Sequence, residues 1–283
     1  MLTRLFALIV ALLSLPAAAA PALWKISDAD TTIWLYGTVH LLPKGEPGLQ
    51  GAAKTAFDTS DTLALEVLLP TDPQVAARAM FRRGLSPNLP PVPERLPAAR
   101  RPALVAALKD TAIPDAVLPS METWLVALTL STAQLGKLQF EAGEGVEARL
   151  RAAAKGKTLV GLERLDEQLA LFDGLSEADQ RVLLAATVDE LPQMKSEIGQ
   201  MLDAWRKGDV ERLAAELNEG LDDAPGLRKS LLVDRNARWA QWIKARLATP
   251  GSVFLAVGAG HLAGPDSVQT MLAKLGVKAE RVK

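Results

Sequence analysis

The chain contains two histidines, and each stands three residues after a glycine that ends an apolar stretch. His40 closes the segment IWLYGTVH, and His261 closes the segment FLAVGAGH. A glycine at a strand end permits a tight turn and lets a ligand approach the backbone closely. Ligands of open α/β sheets bind beyond the carboxyl ends of the strands. The repeated Gly-x-x-His pattern therefore predicts that both imidazoles line one site. The alternative is a pair of buried or capping imidazoles that bond only to backbone.

Two glutamates stand in comparable positions. Glu66 lies inside the apolar segment TLALEV, where a carboxylate is costly unless it is paired, hydrogen-bonded or bound to a metal. Glu163 directly follows the segment TLVGL, so it also stands at a strand end. The alternatives are a solvent-facing residue on an edge strand for Glu66 and a charge at a helix N-terminus for Glu163.

A third pair of polar residues lies in a predicted helix near the C-terminus. Arg235 and Asn236 are adjacent, and together they could hold an oxyanion or the carboxylate of a substrate. They are therefore predicted as substrate-binding residues, and the alternative is a surface salt bridge.

These residues admit hydrolytic chemistry with or without a metal. His40, Glu66 and His261 are predicted ligands of a divalent cation such as Mn²⁺, Co²⁺, Fe²⁺ or Zn²⁺. Such a cation lowers the pKa of bound water and polarises a carbonyl group. Without a metal, His40 oriented by a glutamate would act as a general base on water. The spacing along the chain does not decide between these mechanisms, and there is no His-Glu-x-x-His zinc helix.

Short apolar runs predict the strands that must position these side chains. Runs such as VFLAV are continuously apolar, which is typical of a strand covered on both faces. The predicted strands are 23–26, 31–36, 62–67, 158–162, 252–257 and 279–282.

The segments between the strands have the periodicity and capping residues of helices. The predicted helices are 48–59, 72–83, 102–109, 122–138, 145–155, 166–171, 176–196 with a continuation to 217, 227–248 and 265–275. Five prolines in residues 87–97 predict a loop. The sequence thus predicts an α/β fold. A small central β-sheet comes from N- and C-terminal strand-helix units, with a large helical middle region at about 71–155 and 166–250.

The N-terminus has the layout of a secretory signal peptide, predicted over residues 1–20. Arg4 precedes an apolar run at 5–15, and alanines follow at 17–20. The run is too short to span a bilayer comfortably, although an uncleaved anchor is the alternative. Residues 21–283 are predicted to form one exported, periplasmic domain without a stable membrane span after cleavage. The sequence predicts no oligomeric state.

Composition excludes several other classes. The chain has no cysteine, which removes disulfides, thiolate metal sites and cysteine nucleophiles. The formal net charge is −1 and the charges are dispersed, so a nucleic-acid partner has no electrostatic support. The expected partner is a peptide or small-molecule substrate.

Several short motifs together resemble the TraB/GumN family of the Tiki-like superfamily, over nearly all of the predicted mature chain. The matching residues are Gly37 to His40 after Trp34, Glu66, Gly145-Val146-Glu147, Gly156-Lys157, Gly161-Leu162-Glu163 with Gln168, Arg235-Asn236, and the run VGAGHLAG at 257–264. Glu147 stands where the family usually has aspartate, so it is left out of the predicted site. The resemblance implies an α/β fold in which the two Gly-x-x-His motifs face each other.

The resemblance also implies hydrolysis, although it does not fix the chemistry. Animal Tiki relatives are metal-dependent proteases, and bacterial plasmid relatives shut down peptide pheromones. Erythromycin-esterase-like relatives hydrolyse an ester, and ChaN-like relatives bind haem. Fold-level analogy is a limited warrant for function.

The function predicted first is therefore an exported metal-dependent hydrolase that cleaves peptide bonds. His40, Glu66 and His261 would hold the metal or activate water, Glu163 would be a further ligand or the general base, and Arg235 would steady the substrate or the oxyanion. The alternatives are a metal-free hydrolase with His40 as general base and a non-catalytic periplasmic protein that binds metal, haem or peptide.

Overall fold

The computed structural model describes residues 20–40, 42–43, 45–140, 145–222 and 225–282. The predicted signal peptide lies outside these residues except for Ala20. Among the helices within these ranges, none combines the length and the apolar composition that crossing a membrane would need.

The described part of the chain contains one six-stranded sheet in the order β4-β3-β5-β2-β1-β6. Its strands are β1 (Leu23–Ser27), β2 (Thr31–Thr38), β3 (Thr62–Val67), β4 (Thr158–Glu163), β5 (Gly251–Gly258) and β6 (Glu280–Arg281). Strands β4, β3, β5 and β2 run parallel to one another, whereas β1 is antiparallel to both β2 and β6. The predicted α/β class with a central sheet is confirmed.

Helices cover both faces of the sheet and form the middle of the chain. They are α1 (Gly51–Thr59), α2 (Pro73–Gly84), α3 (Arg101–Lys109), α4 (Thr123–Lys137), α5 (Val146–Ala153), α6 (Leu165–Asp173), α7 (Glu177–Glu190), α8 (Met194–Lys207), α9 (Val210–Asp222), α10 (Pro225–Arg228), α11 (Asp234–Arg246) and α12 (Val268–Lys274). Short 3₁₀ turns lie at Val92–Arg95, Leu118–Ser120 and Ala259–Leu262, and a π-helical turn lies at Lys229–Val233.

Strand β5 explains why the sheet is covered on both sides. Phe254 and Leu255 are fully buried, and because neighbouring side chains of a strand point to opposite faces, they enter two different cores. Phe254 packs with Phe57 of α1, and Leu255 shares its core with Trp239 of α11. The helical middle region has a separate core around Trp124 of α4.

Two predicted helices differ from the structure in their continuity. The helix predicted over 176–196 is divided into α7 and α8 around Pro192, which lacks the N–H that an unbroken helix would need. The helix predicted over 227–248 is interrupted by the π-helical turn, where the N–H of Asp234 bonds to the carbonyl of Lys229, five residues back.

The parallel strands end at one edge of the sheet. Thr38 of β2 is in register with Gly258 of β5, and Val67 of β3 is in register with Glu163 of β4. This edge therefore brings the strand ends that precede both histidines next to the ends that carry the two glutamates.

Candidate active site

Gly258 lies at the centre of the predicted site. A β-carbon built on this glycine would lie 3.1 Å from Oε1 of Glu66, 3.6 Å from Cδ2 of His261 and 3.7 Å from Nε2 of His40. The structure therefore brings both imidazoles and one carboxylate around a single point. The absence of a side chain at residue 258 allows these groups to approach one another this closely.

His40 is held by a carboxylate that is absent from the predicted site residues. Oε1 of Glu147 lies 2.8 Å from Nδ1 of His40, and the same oxygen accepts a hydrogen bond from the hydroxyl of Thr38. The side chain of His40 is 70% exposed, so its Nε2 is accessible to a substrate. The hydrogen bond to Glu147 raises the pKa of His40 to about 9 and outweighs the opposing effect of desolvation.

The position of Glu147 follows from how α5 meets β2. The N–H of Val146 bonds to the carbonyl of Val39, and the Cα of Gly145 packs directly against the His40 carbonyl. Glu147 then lies in the first turn of α5, beside the His40 ring. Only the family motif at 145–147 signals this residue in the sequence, and the longer reach of glutamate compared with aspartate does not remove it from the site.

His261 has a different environment. Its Nδ1 lies 2.6 Å from Oδ1 of Asn236, and its Nε2 lies 3.0 Å from Nη1 of Arg235. The ring also packs against Trp239, with ring centroids 4.5 Å apart. Burial lowers the pKa of His261 to about 4, so the ring is neutral at pH 7.

Arg235 connects the acidic groups to His261. Its Nη2 donates to Oε2 of Glu66 at 2.6 Å and to Oε2 of Glu163 at 2.8 Å, and its Nε donates to Oε1 of Glu163 at 3.0 Å. The guanidinium lies over the Trp239 ring at 4.7 Å, and the residue is 8% exposed. The alternative of a surface salt bridge is therefore wrong, because the ion pairs are buried.

Both predicted glutamates are buried and paired. Oε1 of Glu66 accepts the N–H of Gly258 at 2.6 Å. Burial opposes ionisation of Glu66, but the charges of Arg235 and His40, this N–H and, in acid, the protonated form of His261 lower its pKa to about 2. Glu163 accepts further hydrogen bonds from Gln168 at 3.2 Å and from Arg238 at 3.3 Å.

Arg235 engages two of the three residues predicted to bind a metal, Glu66 and His261. Oε1 of Glu66 and Nε2 of His261 are 4.0 Å apart, but the guanidinium contacts both of these residues. A fixed positive charge therefore stands beside the atoms that a cation would need. Across the described residues, no group of three or more histidine, aspartate or glutamate side chains is arranged to hold a metal ion. As arranged, Glu66 and His261 bind the guanidinium of Arg235 at the positions where a divalent cation would need them.

Comparison with known proteins adds a family but no described activity. The model of the TraB/PrgY/gumN family matches residues 22–281. A protein of Treponema pallidum (strain Nichols) named "Uncharacterized protein" is 24% identical over 268 residues, covering 89% of this chain and 80% of its own length. "Uncharacterized protein YbaP" of Escherichia coli (strain K12) is 24% identical over 240 residues, covering 84% and 86%. No solved structure matches.

Proposed function

The chain belongs to the TraB/PrgY/gumN family, and from this membership and the geometry around Gly258 we propose that it is a hydrolase of a peptide or ester bond. The observation that carries the proposal is the convergence of His40 Nε2, His261 and Glu66 on one point beside Arg235. Peptides are the substrates we favour, as the resemblance of the sequence motifs implies, and the 70% exposed His40 side chain can be reached by a substrate of that size.

The two histidines divide the proton transfers between them. The environments of His40 and His261 push their pKa values apart, to about 9 and about 4. Such a separation is how one site supplies an acid and a base at the same pH. His40 is therefore the general acid, and neutral His261 is the general base, which differs from the base role that the sequence suggests for His40.

In the proposed reaction, water adds to the carbonyl carbon of the substrate, and the tetrahedral intermediate then loses its leaving group. A water oxygen bonds to the carbonyl carbon of the substrate while His261 Nε2 takes the water proton. Arg235 opens its hydrogen bond to Nε2 and donates to the oxyanion that forms, and Glu66 and Glu163 keep the guanidinium in place. Nε2–H of His40 then protonates the leaving nitrogen or oxygen as the bond to the carbonyl carbon breaks. Solvent returns the proton from His261 to His40.

A substrate panel with a matched variant tests this proposal. Wild-type protein is assayed on mixed peptides and on aryl and alkyl esters, beside His40→Gln and beside Lys278→Ala, whose side chain is 82% exposed near β6. Loss of a general acid typically lowers the rate about 100-fold or more. We expect that loss in kcat/KM for His40→Gln and none for Lys278→Ala. A His40→Gln protein as active as wild type on every substrate that is cleaved would overturn the proposal.

A metal-dependent mechanism is the second candidate. In its favour, Nδ1 of each histidine bonds to a side-chain oxygen, of Glu147 or of Asn236, which is how metal-binding imidazoles are commonly oriented. It requires Arg235 to leave Glu66 and His261. Metal analysis of protein purified without chelator, followed by assay in EDTA, separates the candidates. Our proposal expects activity to survive, and a loss that Mn²⁺, Co²⁺, Fe²⁺ or Zn²⁺ restores would favour the metal.

The location remains part of the proposal. The signal-peptide layout of residues 1–20 supports an exported, periplasmic protein. Cell fractionation followed by N-terminal sequencing tests it, with the mature chain expected to begin near residue 21. Recovery of the intact N-terminus in the cytoplasm would contradict export.

A further inference from the structure

We infer that Asn236 is a positioning residue, which fixes His261 in the tautomer with hydrogen on Nδ1 and directs the lone pair of Nε2 into the site. The inference about the tautomer rests on hydrogen-bond geometry alone. Its consequence for catalysis rests on the function proposed above.

The orientation of the Asn236 amide is set by two backbone carbonyls. Its Nδ2 lies 2.7 Å from the carbonyl oxygen of Asp266 and 3.4 Å from that of His261. A carbonyl oxygen only accepts hydrogen bonds, so the nitrogen of the amide must face these two groups. Its oxygen consequently faces Nδ1 of His261, at 2.6 Å.

The amide orientation decides which ring nitrogen carries the proton. Oδ1 of Asn236 can only accept, so Nδ1 of His261 must donate to it. A neutral imidazole then has its lone pair on Nε2, to which Nη1 of Arg235 donates at 3.0 Å. The opposite tautomer would set two acceptors against each other at Nδ1 and two donors at Nε2, inside a buried site.

The amide of Asn236 also gives His261 a protonation state different from that of His40. Glu147 places a carboxylate against Nδ1 of His40, which supports a charged ring, whereas Asn236 offers a neutral oxygen, which supports a neutral ring. Asn236 is completely buried, so it acts on the ring and does not reach a substrate. This placement favours a positioning role over the substrate-binding role that the sequence predicts.

Nitrogen-15 NMR of the histidine side chains tests the inference on wild-type protein. The chain contains two histidines, and the His40→Gln variant assigns both sets of signals. At pH 7 we expect Nδ1 of His261 to have the nitrogen-15 shift of a protonated, pyrrole-type nitrogen. We expect Nε2 to have the shift of an unprotonated, pyridine-type nitrogen. A protonated Nε2 or an equal mixture of tautomers would overturn the inference, whether or not any hydrolysis is found.

Variants then test the consequence for the reaction. In Asn236→Ala we expect both tautomers of His261 and a fall in kcat of at least tenfold with little change in KM. Asn236→Asp replaces the amide by an isosteric carboxylate, and we expect it to protonate both ring nitrogens. Ala237→Asn, which adds an amide to the exposed side of α11, is the matched control and should leave the tautomer unchanged. Unchanged His261 signals in both Asn236 variants, with their fold confirmed by circular dichroism, would contradict the role of Asn236.

Discussion

Glu147 and Asn236 stand in equivalent places, each beside Nδ1 of one histidine, but only Glu147 carries a charge. That difference and the unequal exposure of the rings give the two imidazoles opposite protonation states at neutral pH. The chemistry of the site thus depends on the partners of the histidines as much as on the histidines themselves.

The first prediction concerns the pH dependence of kcat/KM. The base must be unprotonated, so activity falls as the pH drops through the pKa of His261, about 4. The acid must be protonated, so activity also falls as the pH rises through the pKa of His40, about 9. We expect kcat/KM to be constant between these two pH values. In His40→Gln we expect a low residual kcat/KM that no longer falls as the pH rises through 9. A rate that rises through pH 9 in wild-type protein would instead make His40 the base.

The second prediction concerns the space at Gly258. Its backbone angles, φ −51° and ψ 135°, are open to alanine, so Gly258→Ala should fold normally. The new methyl group would stand 3.1 Å from Glu66 Oε1 and 3.7 Å from His40 Nε2, where the reacting groups must meet. We expect kcat/KM to fall roughly 100-fold, the usual scale for displaced reactants.

The equivalent glycine of the other motif provides the control for this variant. A β-carbon on Gly37 would contact Ala259 at 3.4 Å and Leu262 at 3.6 Å, which are ordinary van der Waals distances, and neither imidazole ring is among its three nearest contacts. Gly37→Ala should therefore keep most of the activity, and both variants are compared by circular dichroism and steady-state assay. Full activity in Gly258→Ala would show that the reaction does not occur at this point.

At the scale of elements, the contact between α5 and the end of β2 controls His40. A β-carbon on Gly145 would lie 2.0 Å from the His40 carbonyl oxygen, so Gly145→Ala must push the start of α5 away. His40 would then lose Glu147, and we expect its pKa to fall from about 9 toward the ordinary value of about 6.5. The measurement is an NMR titration of the His40 ring.

Two further variants make this experiment decisive. Glu147→Gln removes the charge without moving α5, so it should lower the pKa of His40 in the same direction. Gly136→Ala in α4 has no neighbour within 4 Å of the added carbon and should leave that pKa unchanged. A His40 that titrates near pH 9 in both Gly145→Ala and Glu147→Gln would mean that Glu147 does not control it.

The elements were largely predictable because their signals are local. The apolar run at 252–257 predicts a strand inside β5, and the run at 62–67 predicts β3 with the same bounds. The break at Pro192 and the π-helical turn before Asp234 were not predicted, since the amphipathic pattern continues across both. That turn lies next to the site, and its Leu231 carbonyl accepts a hydrogen bond from Arg235.

The sequence predicts which residues form the site, but it does not predict which of them contact one another. The glycine-histidine spacing and the buried glutamate identify His40, His261 and Glu66 as neighbours, which the structure brings together. That Arg235 neutralises both glutamates, and that Asn236 orients a ring 25 residues away, depends on how α11 packs against the sheet edge. Such contacts are tertiary, so no local pattern carries them.

At the scale of the whole molecule, the ion cluster joins parts that are distant in the chain. Glu66 comes from β3, Glu163 from β4, Arg235 from α11 and His261 from the turn after β5. Removing one partner of a buried pair leaves an uncompensated charge and typically costs about 3–5 kcal/mol. The protein has no disulfide to offset such a loss, so the protonation state of this cluster should affect the stability of the entire fold.

The last prediction is therefore that acid destabilises the fold through the site. The pKa of His261 is about 4 in the folded chain and 6.5 ordinarily, so its contribution is complete above pH 6.5 and lost as the pH falls through 4. The pKa of Glu66, about 2 against 4.5, gives a loss of the same sign at lower pH. Urea unfolding should show a decrease on the order of 3 kcal/mol between pH 7 and pH 4. His261→Gln should flatten this first decrease, and it should weaken the one toward pH 2, because protonated His261 helps to lower the pKa of Glu66. Equal unfolding free energies at pH 7 and pH 4 in wild-type protein would show that His261 is not held neutral by the fold.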